Sequence, residues 1–353
     1  MQEQFAHSAW LAARNGTLAV CAALCVLGTA VSANAKATYT TIDVSGSTST
    51  QANSINDQGV ITGYYQGCNG SSVAGSFIRA ADGSITTFNV FPCTGQKYEG
   101  TFAESVNDKG AITGSIFTDP GGYGFVRKAD GKIKSFYAVP SATEQNNSTT
   151  SPISINDKGA ATGTWHSDAG QAQGFLRASD GTLTIFNPPS STGTYALSIN
   201  GSGVITGYYE DSSYVMHGFV RASDGTITSI DPAGSIGTRA VAISDKGVIT
   251  GSYNDSNEID HGFVRAADGT ITSFDPSGST QTTPMSINSG GAITGSYTIN
   301  HTFHGFVRAP DGTIRSFDPP GSGLTYPLAI NRHGAITGYY ADGKGQHGFL
   351  RTR

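Results

Sequence analysis

One short pattern, returning seven times, limits what this chain can fold into. The copies read SINDQGVITGYY (54–65), SVNDKGAITGS (105–115), SINDKGAATGTW (154–165), SINGSGVITGYY (198–209), AISDKGVITGSY (242–253), SINSGGAITGSY (286–297) and AINRHGAITGYY (329–340). Their equivalent residues Asn56, Asn107, Asn156, Asn200, Ser244, Asn288 and Asn331 lie 51, 49, 44, 44, 44 and 43 residues apart. A unit of this size does not bury its own apolar face, so neighbours must stack.

A second block follows each first one, as in GSFIRAADGSITTF of the first unit and HGFVRAPDGTIRSF of the sixth. In the sixth unit the turn chemistry marks four strands: PMSI (284–287), AITGSY (292–297), HGFVRA (304–309) and TIRSFD (313–318). Asn288 to Gly291 and Pro310-Asp311-Gly312 supply the tight turns, because Asn and Asp close turns with their own side chains and Gly accepts positive φ. The second of these hairpins fits either a two-residue or a three-residue loop. Apolar residues on both strand faces suit a sheet sandwiched between neighbours. The 47 glycines and only 13% charged residues agree with many short strands.

Four strands per unit, seven times, predicts an all-β, seven-bladed β-propeller of four-stranded blades. The seventh unit breaks off at HGFLRTR, and TYTTIDVSG (38–46) matches the strand it lacks. The expected blades are therefore 47–89, 90–137, 138–187, 188–231, 232–275, 276–318, and 319–353 completed by 37–46, with the N-terminal strand closing the last blade. Ahead of them, Arg14, the apolar run 17–31 and Ala33-Asn34-Ala35 read as a signal peptide, 1–35, cleaved after Ala35, leaving 36–353. The reading is a secreted or periplasmic protein with no transmembrane segment in the mature chain.

The paired motifs IND-x-G-x-I-T-G-x-Y and H-G-F-V-R-x-x-D-G resemble the probable extracellular repeat family named for its His-Ala-Phe triplet. The resemblance spans about 37–353. Gly replaces the family's Ala at Gly218, Gly262, Gly305 and Gly348, and Ala74, Tyr123 and Gln173 stand in or near the His position of the first three copies. It implies an exported repeat scaffold and no particular reaction.

A net charge of −5 excludes a basic nucleic-acid footprint. No P-loop, GxSxG elbow, HExxH helix or DxDxDG series occurs, so no catalytic residue, metal or cofactor is assigned. The recurrent Arg79, Arg127, Arg177, Arg221, Arg265, Arg308 and Arg351 read as structural, with Asp231, Asp275, Asp318 and Asp43 as partners. His217, His261, His304 and His347 read as hydrogen-bonded between blades, since the repeat places each in a different blade. Tyr64, Tyr208 and Tyr339 have the parity of exposed contacts, whereas Tyr65, Trp165, Tyr209, Tyr253, Tyr297 and Tyr340 have that of blade packing.

With Cys21 and Cys25 in the signal peptide, Cys68 and Cys93 remain in an oxidising compartment, and a disulfide between them is expected. The long connections of blades one to three mark a recognition surface, with Tyr98, Glu99 and Trp165 as contact candidates. The function read from these features is a monomeric, non-enzymatic exported scaffold that binds an extracellular or cell-envelope protein or glycan. A purely structural repeat protein and a polysaccharide hydrolase or lyase with an axial active site are the alternatives.

Overall fold

The computed structural model describes residues 37–67, 73–90, 100–118, 121–139 and 148–353. Among them, 28 strands, β1 to β28 in chain order, form seven groups of four. Blade four shows the pattern: β14 (Gly193–Ile199), β15 (Ile205–Glu210), β16 (Met216–Arg221) and β17 (Ile227–Ile230) run antiparallel in that order. The chain is a seven-bladed β-propeller.

Closure follows the reciprocal ends of the sequence. The N-terminal strand β1 (Thr38–Ile42) pairs antiparallel with β28 (Gln346–Thr352), in register from Thr38↔Thr352 to Ile42↔Gly348. Ile42 is 1% exposed there, so the first strand carries core as well as edge hydrogen bonds.

The core is repeated between the blades. Phe77, after Ser76, and Phe125, Phe175, Phe219, Phe263, Phe306 and Phe349, each after a Gly, are fully buried. The Thr of each Ile-Thr-Gly or Ala-Thr-Gly step donates its hydroxyl to that Phe's carbonyl, as Thr206 does to Phe219 at 2.7 Å. These buried hydroxyls are therefore satisfied within the sheet.

The turns are resolved too. Gly312 donates to the Ala309 carbonyl and Ala309 to the Thr313 carbonyl, with Gly312 at φ 90°. That is a type I turn with a left-handed Gly at the bulge, a three-residue loop.

Each inner-strand turn also holds the next blade. Asn288 Oδ1 accepts the Gly290 and Ala292 amides, while its Nδ2 donates to the Asn331 carbonyl at 2.9 Å. The same rung runs from Asn56, Asn107, Asn156 and Asn200 to the following blade, and Asn331 returns it to Asn56. Ser244 is too short to continue it.

The expected Cys68–Cys93 disulfide is corrected. The structure holds no Sγ–Sγ pair among the described residues, and both cysteines lie outside those residues. Sequence spacing supplies closure entropy, but a bridge also needs Cα atoms within about 7 Å, which spacing does not provide. Residues 1–36, including the expected signal peptide, also lie outside the described set.

Candidate functional site

The inner strands are β2 (Ser49–Ile55), β6 (Gly100–Val106), β10 (Thr149–Ile155), β14, β18 (Gly237–Ile243), β22 (Gln281–Ile287) and β26 (Leu324–Ile330). Each carries a β-bulge at one position. In β2 the register passes from Ala52↔Gly63 to Ser54↔Thr62, leaving Asn53 without a partner. The equivalent extra residues are Glu104, Ile153, Leu197, Val241, Met285 and Leu328. Bulges re-aim side chains, and these seven residues line an axial channel of about 400 Å³.

The bulge also accounts for the recurrent Gly opposite it. A Cβ on Gly63 would collide with the Gln51 carbonyl oxygen, and one on Gly207 with that of Tyr195. The inner strand presses its backbone onto this position, so only Gly fits.

The channel wall is lopsided. Five bulge residues are aliphatic or Met, and the polar pair Asn53 and Glu104 sits side by side in blades one and two. A directed chain of donors converges on the acid: Tyr64 Oη donates to Gln51 Oε1 at 2.9 Å, Gln51 Nε2 to Asn53 Oδ1 at 3.0 Å, and Asn53 Nδ2 to Glu104 Oε2 at 2.9 Å. Glu104 keeps some surface open to the channel but is otherwise enclosed by protein. That burial pushes its carboxyl up to about 8, against the opposing Asn53 hydrogen bond, so the acid is mostly neutral at pH 7.

Two residues before each bulge, the strands place Gln51, Phe102, Ser151, Tyr195, Arg239, Thr283 and Tyr326 at the channel mouth. These pair with the second strands, bringing Tyr64, Tyr208 and Tyr339 beside them. Tyr195 stacks on Tyr208 with centroids 4.6 Å apart, Tyr326 on Tyr339 at 4.9 Å, and Tyr64 meets Phe102 edge-on at 5.1 Å. Arg239 lies 5.7 Å above Tyr208 and donates Nε–H to Met216 Sδ. Burial raises the Tyr339 hydroxyl to about 12, with Tyr326 and Tyr64 adding to the effect. The mouth is thus a half-buried aromatic bowl.

Sequence parity had marked Tyr64, Tyr208 and Tyr339, and the structure gathers them at the axis. On the other parity, Tyr209, Tyr253, Tyr297 and Tyr340 lie against His217, His261, His304 and His347 on the paired strand of their own blade. Trp165 belongs to this set, on β11 (Ala161–His166) opposite Gln173, with its indole N–H buried and unpartnered. Its neighbour His166 lies beside Tyr195, and burial lowers its pKa. Tyr98 and Glu99 lie outside the described residues.

The recurrent Arg and His exchange partners relative to expectation. Arg127, Arg177, Arg221, Arg308 and Arg351 stack over Phe88, Phe136, Phe186, Phe274 and Phe317 of the preceding blade at 4.7 to 5.1 Å. At Arg79 and Arg265 the corresponding residues are Ile42 and Ile230, which offer no ring. The carboxylates expected to meet Arg instead meet His: Asp231, Asp275 and Asp318 accept from His217, His261 and His304 within one blade. Asp43 accepts from His347, joining β1's extension to β28. Neither Glu104 nor Asn53 stood out in the sequence, although both break an otherwise apolar column of the repeat.

At the turn end of the axis a second cavity, about 250 Å³, is ringed by Asp57, Asp108, Asp157, Asp245 and Arg332. Four carboxylate oxygens there accept backbone amides of the preceding blade, from Asp57, Asp108, Gly201 and Arg332. Burial raises the Asp108 pKa, with Asp57 and Asp157 adding to the rise. These carboxylates are spent on ring closure. Among the described residues no group of three or more His, Cys, Asp or Glu is arranged to hold a metal ion.

The architecture is that of solved β-propellers. A streptogramin B lyase superposes over 89% of this chain and 97% of its own, at 15% identity and a TM-score of 0.58. A puromycin hydrolase superposes over 87% of this chain but 52% of its own, at 11% identity and a TM-score of 0.60, so the chain spans about half its length. The propeller domain of the trilobed protease from Pyrococcus furiosus superposes over 86% and 95%, at 8% identity and a TM-score of 0.59. That domain has an open velcro topology, whereas β1 completes the last blade here. No protein-family model matches the chain, and no curated protein matches it. Likeness at these identities establishes the fold and leaves the chemistry to the residues of the site.

Proposed function

We propose that this protein is an exported β-propeller that binds a glycan of the extracellular space or cell envelope across its axial mouth. The observation that supports this most is the aromatic bowl of Tyr195–Tyr208, Tyr326–Tyr339 and Tyr64–Phe102 around one axis. Aromatic faces present apolar surface at low entropic cost, and sugar rings carry apolar faces of matching size. The channel beneath offers one carboxylate among the described residues, while most glycosidases hold two across the bond they break. Binding is therefore better supported than hydrolysis. The proposal puts recognition at the axis; of the contact candidates on the connections of blades one to three, Tyr98 and Glu99 lie outside the described residues.

Export rests on the apolar run and Ala33-Asn34-Ala35 in the sequence. No helix among the described residues is long and apolar enough to cross a membrane. Membership of the His-Ala-Phe repeat family rests on the motifs alone.

A second reading, axial acid catalysis, is favoured by Glu104, whose neutral carboxyl holds a proton to donate. One experiment separates the two. Glycan-array binding should be clear for the native protein and at least tenfold weaker for Tyr195→Ala/Tyr326→Ala, with bound glycans recovered intact. Undiminished binding by that double variant would reject the mouth as the site. Glycan cleavage that disappears in Glu104→Gln would establish the catalytic reading.

A further inference from the structure

The channel beneath the mouth sets one acid among five aliphatic or Met side chains. Ile153, Leu197, Val241, Met285 and Leu328 share the lining of about 400 Å³ with Ser54, Ser105, Ser154, Ser198 and Ser286, and the sole acid facing it among the described residues is Glu104. The polar side is organised in one direction: Tyr64, Gln51 and Asn53 each donate to the next, and the last donation ends on Glu104 Oε2. Donors aimed at a carboxylate favour its anionic form, and among the described residues Oε1 accepts no hydrogen bond. Above the channel, the Tyr and Phe rings present π-faces that attract cations.

We infer that the axial channel is a binding site for a compact hydrophobic amine, its ammonium paired with Glu104 and its apolar body against the aliphatic wall. The inference concerns the channel and stands apart from glycan binding at the mouth. When the site is empty the carboxyl holds its proton, because burial disfavours the charge. When a protonated amine enters, the carboxyl proton leaves to solvent and an ion pair replaces the buried acid. Tyr64 is the titratable neighbour that senses Glu104. Burial and the Asn53 hydrogen bond are the influences on the acid itself, with no charged group facing it among the described residues. The exchange of one acid proton for one ammonium gives the site a signature that a plain apolar pocket lacks.

Titration calorimetry with cyclohexylamine and cyclohexanol, which differ only in the head group, reads this signature. The amine should bind at least tenfold tighter than the alcohol at pH 8. Its affinity should climb on the order of fifty-fold from pH 6 to 8 as Glu104 ionises, because the amine stays protonated across that range. The alcohol should show no such climb. Proton release to buffer should accompany amine binding at pH 7. Glu104→Gln should abolish the preference for the amine, and Leu197→Phe, which fills the wall and keeps the acid, should weaken both probes. Equal affinity for the two probes, a preference that survives Glu104→Gln, unchanged binding by Leu197→Phe, or no binding by either probe would overturn the inference.

Discussion

His347 and Asp43, 304 positions apart in sequence, meet at 2.9 Å and join the two ends of the ring. The bond sits beside the β1–β28 ladder, where Ile42 fills the last blade. Deleting residues 36–46 should expose the β28 edge and lower both the melting temperature and the monomer fraction. Ile42→Ala keeps the ladder and should cost about 3 kcal/mol of cavity and transfer energy in urea unfolding. A deletion variant that melts like the native protein would show that β1 is dispensable.

The Asn rung is interrupted at one blade, where Ser244 cannot reach the Asn288 carbonyl. Ser244→Asn should restore the link and stabilise the ring by about 0.5 to 1.5 kcal/mol. Thermal denaturation of this variant beside Asn200→Ser, which opens a second gap, should give shifts of opposite sign.

The Gly opposite each bulge should tolerate no side chain. Gly207→Ala drives a Cβ into the Tyr195 carbonyl oxygen, and the strand must either lose the bulge or separate. We expect a loss of more than about 2 kcal/mol or insoluble protein. Gly343→Ala, where a Cβ meets nothing within 4 Å, serves as the matched control and should fold normally.

Glu104 should leave its mark on stability against pH. Its carboxyl lies near 8 in the fold against an ordinary 4.5, so the native state holds this proton over a range where the unfolded chain has released it. Stability should therefore fall as pH rises from about 5 to 8, by up to about 1.4 kcal/mol per unit from this group, and level off above. Glu104→Gln should flatten the profile in that window. An identical slope in both proteins would place the titration elsewhere.

His261 acts in the same direction through a charged rather than a neutral form. Its hydrogen bond to Asp275 raises its pKa, with Asp255 contributing and burial opposing. The stabilisation it brings is complete below about 6.5 and is lost as pH rises through the raised value. In His261→Gln, melting temperatures at pH 5.5 should drop further than those at pH 8.5.

Blade number, strand order, turn positions and ring closure were legible in the sequence because they depend on local chemistry that the repeat states seven times. Asn288 and Gly291 close the same hairpin whatever lies across the axis, and 38–46 matches the missing strand residue by residue. Side-chain parity was enough to separate Tyr208 from Tyr209. Tertiary structure alone decided who meets whom between strands and blades. His217, and not Arg221, reaches Asp231, because it lies beside the end of the outer strand while Arg221 points over Phe186 of the neighbouring blade. Glu104 reaches the axis through a bulge, and one extra residue reverses which side chains face the channel. A repeat pattern records the residue at that position, but only the assembled ring turns it into a buried acid.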